Sequence, residues 1–73
     1  MNEYKTITLV NAVLKDIEHS NYDNRLIMLL RDDLVKTIET SQLTDEFKKM
    51  FINKVYSTTL VKIADNIVNM IAF

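Results

Sequence analysis

The 73-residue chain contains no glycine, no proline, no cysteine and no tryptophan. Average usage of the first two is about 7% and 5%, so roughly nine such residues would be expected at this length. Gly and Pro punctuate hairpins and phosphate-cradling turns. Their absence argues against tight β-hairpins and excludes a Gly-rich phosphate loop. Short helix-to-helix links built from Ser, Asn, Asp and Thr remain easy. Without Cys there is no disulfide and no thiolate metal site, and the single histidine, His19, excludes a multi-histidine site. No cofactor and no metal are therefore expected. Long apolar runs are missing too. The longest, Leu26 to Leu30, falls far short of the roughly 20 residues of a membrane helix. No basic start followed by an apolar stretch marks a secretory signal, so the expectation is a cytoplasmic chain without membrane contact.

An excess of charge of one sign is also lacking. The formal net charge is −1, with five basic and seven acidic side chains in residues 1–40 and four and three in residues 41–73. Nucleic-acid-binding domains carry a basic excess, because phosphate neutralisation supplies most of their affinity. The balance here gives nucleic acid little support. What the chain does have is apolar content, 48%, at the upper end of the globular range. It is thus a folding chain and, at this length, one domain. A chain so short buries only about 60% of its unfolded surface. With no disulfide or metal to brace it, it needs very good helix packing, self-association or a foreign partner.

The apolar residues recur with helical spacing. Ile7, Val10, Leu14 and Ile17 form one seam, widened by Val13, and predict a helix over about 4–19. The β-branched run Ile7-Thr8-Leu9-Val10 also fits a strand, but the seam continues for three turns and no partner strand is evident. His19 to Asn24 is a break rich in residues that bond their own backbone, and Ser20, Asn21 or Asp23 can cap the next helix. Ile27, Leu30, Leu34 and Ile38, with Leu26 and Val35 beside them, predict that second helix over 23–40. Arg31, Asp32, Asp33, Lys36 and Glu39 are placed on its outer face, with Asp32 and Lys36 spaced to pair. After Thr40 to Gln42, Leu43 is placed as a staple before the cap Thr44, and Asp45 and Glu46 suit a helix start.

From Thr44 nothing stops the third helix, expected over 44–72. Phe47, Phe51, Ile52, Val55, Tyr56, Thr59, Leu60, Ile63, Ile67, Met70 and Ile71 read as one stripe, with Lys49, Asn53, Lys62, Asp65, Asn66 and Asn69 opposite. The weakest point is Ser57-Thr58-Thr59, where β-branching and hydroxyls lower helix propensity and a kink is the alternative. Two helices near 24 Å cannot cover one near 42 Å. The uncovered part is Ile67 to Phe73. An apolar terminus left in water is an association patch, so Ile67, Met70, Ile71 and Phe73 are the expected partner-binding residues.

Other constellations favour ordinary structural roles. His19 with Asp16, Glu18 and Asp23 has the residue types of a metal or acid–base cluster, but a solvated His at a helix C-terminus is the favoured reading. Asp32 and Asp33 point about 100° apart on a helix and do not converge. Lys48, Lys49, Lys54 and Lys62 offer a basic stripe for DNA, diluted by Glu46 and Asp65 and without an Arg to read bases. Tyr4 and Tyr22 are aromatic candidates for anchors; Phe47, Phe51 and Tyr56 are placed in the core, and Met28, Met50 and Met70 as gap-fillers in apolar stripes. No nucleophile–base pair can be named, so no enzyme activity and no small-molecule substrate are expected. The fold class expected is all-α: an antiparallel hairpin of two helices packed on a long third, completed by dimerisation. The function class is a protein-interaction module, a regulator or inhibitor. The alternatives are a dimeric DNA-binding regulator and a structural subunit of a larger assembly.

Overall fold

The computed structural model describes residues 2–71, which form three helices and no strand: α1 (Glu3–Glu18), α2 (Asn24–Glu39) and α3 (Asp45–Ile71). Each begins on a side-chain oxygen that takes up an otherwise orphaned backbone N–H. Asn2 Oδ1 accepts from Lys5 N at 2.8 Å, Asp23 Oδ1 from Leu26 N at 2.8 Å and Thr44 Oγ1 from Phe47 N at 3.3 Å. The two links are built alike. The hydroxyl of Ser20 donates to Ile17 O at 2.8 Å and accepts from Tyr22 N; that of Ser41 donates to Ile38 O at 2.6 Å and accepts from Leu43 N. A serine three residues after a buried isoleucine thus turns the chain in both places, doing with a side chain what Gly does elsewhere. The caps Asn2, Asp23 and Thr44 stand 21 residues apart each time, as do Ser20 and Ser41. The first two helices are successive units of one pattern.

Side-chain ties fix how the helices lie. Lys54 Nζ reaches Asn11 Oδ1 at 2.8 Å and Lys62 Nζ reaches Glu18 O at 3.3 Å, so α1 runs parallel to α3. Lys48 Nζ reaches Glu39 O at 3.0 Å, and Asn66 Nδ2 donates to Tyr22 O at 3.1 Å and Asn24 Oδ1 at 2.9 Å, so α2 runs antiparallel to it. Lys48 and Lys62 each satisfy a carbonyl in the last turn of a neighbouring helix, where positive charge is favoured. The core is Val10, Leu14 and Ile17 of α1, Ile27, Leu34 and Ile38 of α2, the staple Leu43, and Phe51 and Val55 of α3. At roughly 1.5–3 kcal/mol for each fully buried large aliphatic side chain, this set is the main term opposing chain entropy. Both short helices pack chiefly on α3 and touch each other least. The hairpin is held together by the long helix rather than by its own interface.

The expected continuity of α3 and the inward placement of Thr59 hold, and several other expectations are corrected. Two threonines, Thr6 and Thr59, are buried; each hydroxyl donates to a backbone carbonyl four residues earlier, Asn2 O and Val55 O, so neither is left unpaired. Ser57 does the same to Asn53 O. This back-bonding satisfies the hydroxyls without interrupting α3, which is continuous through the Ser57-Thr58-Thr59 stretch. The third-helix stripe is narrower than its spacing implied. Phe51, Val55 and Thr59 face the bundle, with Ile52 and Ile63 half-buried, whereas Phe47, Tyr56 and Leu60 are exposed. Two helices lying together on one side of α3 cover an arc that includes 51, 55 and 59 but not 56 and 60. Lys62 and Asn66, placed on the outer face by the pattern, fall inside that arc and make the ties above. Met28, Met50 and Met70 are surface residues, not gap-fillers, and Leu26 is exposed. Arg31 is half-buried at the α2–α3 edge. It bonds Asp32 at 3.1 Å, so Asp32 pairs with its neighbour rather than with Lys36.

Candidate functional site

The site is the solvent side of the second half of α3. One row of positions, spaced three or four apart, runs down this side of the helix: Glu46, Lys49, Asn53, Ser57, Leu60, Ala64, Ile67 and Ile71, all exposed. Its first four members are polar and its last four apolar. The change comes at Leu60. Val61 and Val68 widen the apolar part, and Met70 joins it where α3 outruns the bundle. Exposure is 67% for Leu60, 63% for Val61, 46% for Ile67, 62% for Val68, 79% for Met70 and 77% for Ile71. No charged residue follows Asp65 in the described helix. An isolated exposed leucine needs no explanation, but a contiguous, charge-free helical face does.

The position of this face is set by the ties. Asn66 is held at the α1–α2 turn through Tyr22 O and Asn24 Oδ1. Asn66 makes the last side-chain tie from α3 to the turn among the described residues, and residues 67–71, more than one helical turn, follow it and are all exposed. The body measures 45 × 17 × 15 Å, the long dimension being close to the ~40 Å of a 27-residue helix. The anchoring turn is itself braced: Tyr22 Oη donates to Asp16 Oδ2 at 2.7 Å. That hydrogen bond, and secondarily the carboxylate's charge, raises the Tyr22 phenol above its ordinary range, because the bond requires the protonated phenol.

Of the residues expected to bind a partner, Ile67, Met70 and Ile71 lie exposed on this projecting segment. Phe73 lies outside the described residues. Leu60, Val61, Ala64 and Val68 are not singled out by the sequence pattern as partner-binding; the first three carry the face two turns back toward the bundle, and Val68 widens its projecting end. The spacing assigns Leu60 to the core stripe and the three others to none. The signal that could have found them is a row spaced 60, 64, 67, 71, parallel to the core row 51, 55, 59. It is visible only once the core row is known to be narrow.

Beside the face, α2 and α3 leave an open groove of about 340 Å³ lined by Arg31, Tyr56, Leu60 and Ile63 among others. The Arg31 guanidinium lies 5.6 Å from the centre of the Tyr56 ring, a cation–π contact worth about 0.5–1 kcal/mol at an exposed site. At this same end of the bundle the first turns of α2 expose Leu26, Met28 and Leu29. His19 is an exposed residue at the α1 C-terminus, and Asp16, its expected neighbour in a cluster, is engaged by Tyr22 instead. Among the described residues no group of three His, Asp or Glu side chains is placed to hold a metal. No described helix is long and apolar enough to cross a membrane. No family model, no curated protein and no solved structure matches the chain.

Proposed function

We propose that this chain is a non-enzymatic protein–protein interaction module, a cytoplasmic regulator or inhibitor that acts by presenting the apolar end of α3 to a protein surface, its own or another's. The observation that carries the reading is the switch of the outer row of α3 from polar to apolar at Leu60. From Leu60 onward α3 turns Lys62 and Asn66 to the bundle and its apolar side to solvent, the reverse of the arrangement of a surface helix, and α1 and α2 leave that apolar side uncovered. Recognition of such a face by a hydrophobic surface uses the helix-in-groove mode, with anchors at i, i+4, i+7 and i+11, here Leu60, Ala64, Ile67 and Ile71. The DNA-binding alternative relies on Lys48, Lys49 and Lys54. Two of these three are engaged within the chain, Lys48 with Glu39 O and Lys54 with Asn11, which favours the protein-interaction reading.

The experiment is the double substitution of Ile67→Asp and Ile71→Asp, two exposed positions outside the core. The variant should keep its helical circular dichroism, and should lose both the concentration-dependent mass of the wild type in sedimentation and its capture of any protein partner. Association unchanged in the double variant would overturn the reading.

A further inference from the structure

The outer face of α3 has a symmetry of its own. Taking Ala64 as centre, residues three positions away are Val61 and Ile67, residues four away are Leu60 and Val68, and residues seven away are Ser57 and Ile71. Large aliphatic side chains thus flank a small one at equal distances on both sides. In an antiparallel pair of helices with a two-fold axis passing at residue 64, each residue meets the one equally far on the other side of the centre. Leu60 then packs on Val68 of the second copy and Val61 on Ile67. The small Ala64 meets itself where the helix axes are closest. Two-fold pairs of this kind are the commonest closed assembly, because one patch serves both copies.

We infer that the occupant of this face is a second copy of the same chain, paired antiparallel through α3 about Ala64. The inference rests on the reading of the C-terminal face as an interface and adds who binds it and how. Three further observations favour self-pairing. The residues 60, 61, 64, 67, 68 and 71 carry no charge, so like copies meet without repulsion and with no unmatched ion to desolvate. The exposed surface of the large apolar residues on the face and its projecting end is on the order of 600 Å² per copy, near the upper end of single patches on monomers and approaching the ~800 Å² each partner gives a standard interface. And α1 and α2 lie on the opposite side of α3, so two bundles can stand outside the paired helices without collision.

The absence of Cys makes the geometry testable by crosslinking, since disulfides need Cα atoms about 4.4–6.8 Å apart. Three full-length single variants are prepared, Ala64→Cys, Leu60→Cys and Val68→Cys, each at an exposed site, with circular dichroism as the check on folding. The expected result is that Ala64→Cys crosslinks to itself under mild oxidation. Leu60→Cys and Val68→Cys do not crosslink alone but do so when mixed with each other. Sedimentation equilibrium of the wild type should give twice the 8.5 kDa of one chain. Ala64→Asp, which sets two carboxylates at the axis, should raise the dimer dissociation constant about tenfold or more. Self-crosslinking of all three variants would mean a parallel pair and would overturn the inference. So would a dimer in which none of the three crosslinks. A monomeric mass at near-millimolar concentration overturns self-pairing alone; the interaction reading then stands or falls separately on partner capture by the Ile67→Asp and Ile71→Asp variant.

Discussion

Truncating Leu60 to alanine should barely destabilise an isolated folded chain. Fully burying a leucine side chain is worth about 1.5–3 kcal/mol. Leu60 is 67% exposed, so only about a third of that is at stake, roughly 0.5–1 kcal/mol. Alanine is also a slightly better helix former, which trims the figure further. The contrast is Ile27→Ala at a fully buried position of α2, where transfer and cavity terms together cost about 2–5 kcal/mol. Urea unfolding followed by circular dichroism reads both. The decisive variable is protein concentration. If a second copy covers the face, the wild-type midpoint rises with concentration by mass action, and the cost of Leu60→Ala grows toward the full 1.5–3 kcal/mol of a buried leucine. The Ile27→Ala penalty should stay nearly the same at both concentrations, because Ile27 is buried within one chain. A Leu60→Ala loss as large as that of Ile27→Ala at low micromolar protein would put Leu60 in the intramolecular core. A loss that stays small up to near-millimolar protein would mean that no second copy covers Leu60. Either result refutes the reasoning.

Replacing Asn66 with alanine removes two inter-element hydrogen bonds, each worth about 0.5–1.5 kcal/mol net. The expected loss is about 1–2 kcal/mol in urea unfolding, with faster amide exchange from about residue 62 onward. Stability that does not change would show that the α1–α2 turn is not held by α3. Asp23→Ala should cost about 1 kcal/mol through loss of the α2 cap, whereas Asn21→Ala in the same turn should be near neutral; equal effects would contradict the capping geometry. Tyr22→Phe removes the bond to Asp16 and carries a pH signature. The folded-state phenol is raised above the ordinary value of 10.0, so folding favours the protonated form. Its contribution is complete below pH 10 and is lost as pH rises through the raised value. The stability gap between wild type and Tyr22→Phe should therefore hold steady from neutral pH to just below 10 and narrow above it. A gap that widens there would reverse the assignment.

The helices were legible because their signals are local. Thr44 could be read as a cap from residue type and the apolar seam just after it, Asp23 only as one of three candidates beside Ser20 and Asn21, and Ile17, Ile27, Leu34 and Ile38 stood in seams with polar flanks. The extent of the third helix was legible too; its inward face was not, and for a physical reason. Periodicity locates an apolar stripe when the rest of the helix is polar. From Leu60 onward Lys62, Asp65, Asn66 and Asn69 share one side and the apolar residues take the other, so the pattern points the apolar side inward, which the structure reverses. The polar residues explain the reversal. Lys62 and Asn66 turn toward the α1–α2 end of the bundle to meet Glu18 O, Tyr22 O and Asn24. Their partners lie more than 40 residues away in sequence, beyond the reach of any local rule. Thr6 and Thr59 are the opposite case: their hydroxyls are satisfied four residues back in their own helices and so can be buried like valines.

The 21-residue pattern shows why the candidate interface lies where it does. In its first two units a buried isoleucine, Ile17 or Ile38, is followed three residues later by a serine that closes the helix on that isoleucine's carbonyl. The third unit places Thr59 and Lys62 at those two positions. Thr59 bonds back to Val55 O and stays helical. Lys62 cannot fold back onto the carbonyl of residue 59 as a serine does, and instead spans to the end of α1. The stop signal is thus replaced by a tie that strengthens the bundle and lets α3 run on. Every described position past Asn66 is exposed. A chain whose extra helix served only solubility would fill those positions with Lys and Glu. This one fills them with Ile67, Val68, Met70 and Ile71, leaving Asn69 as the only polar side chain among them. The missing stop and the missing charge belong together: the first builds a helix longer than its bundle, and the second makes the surplus a surface that water does not satisfy.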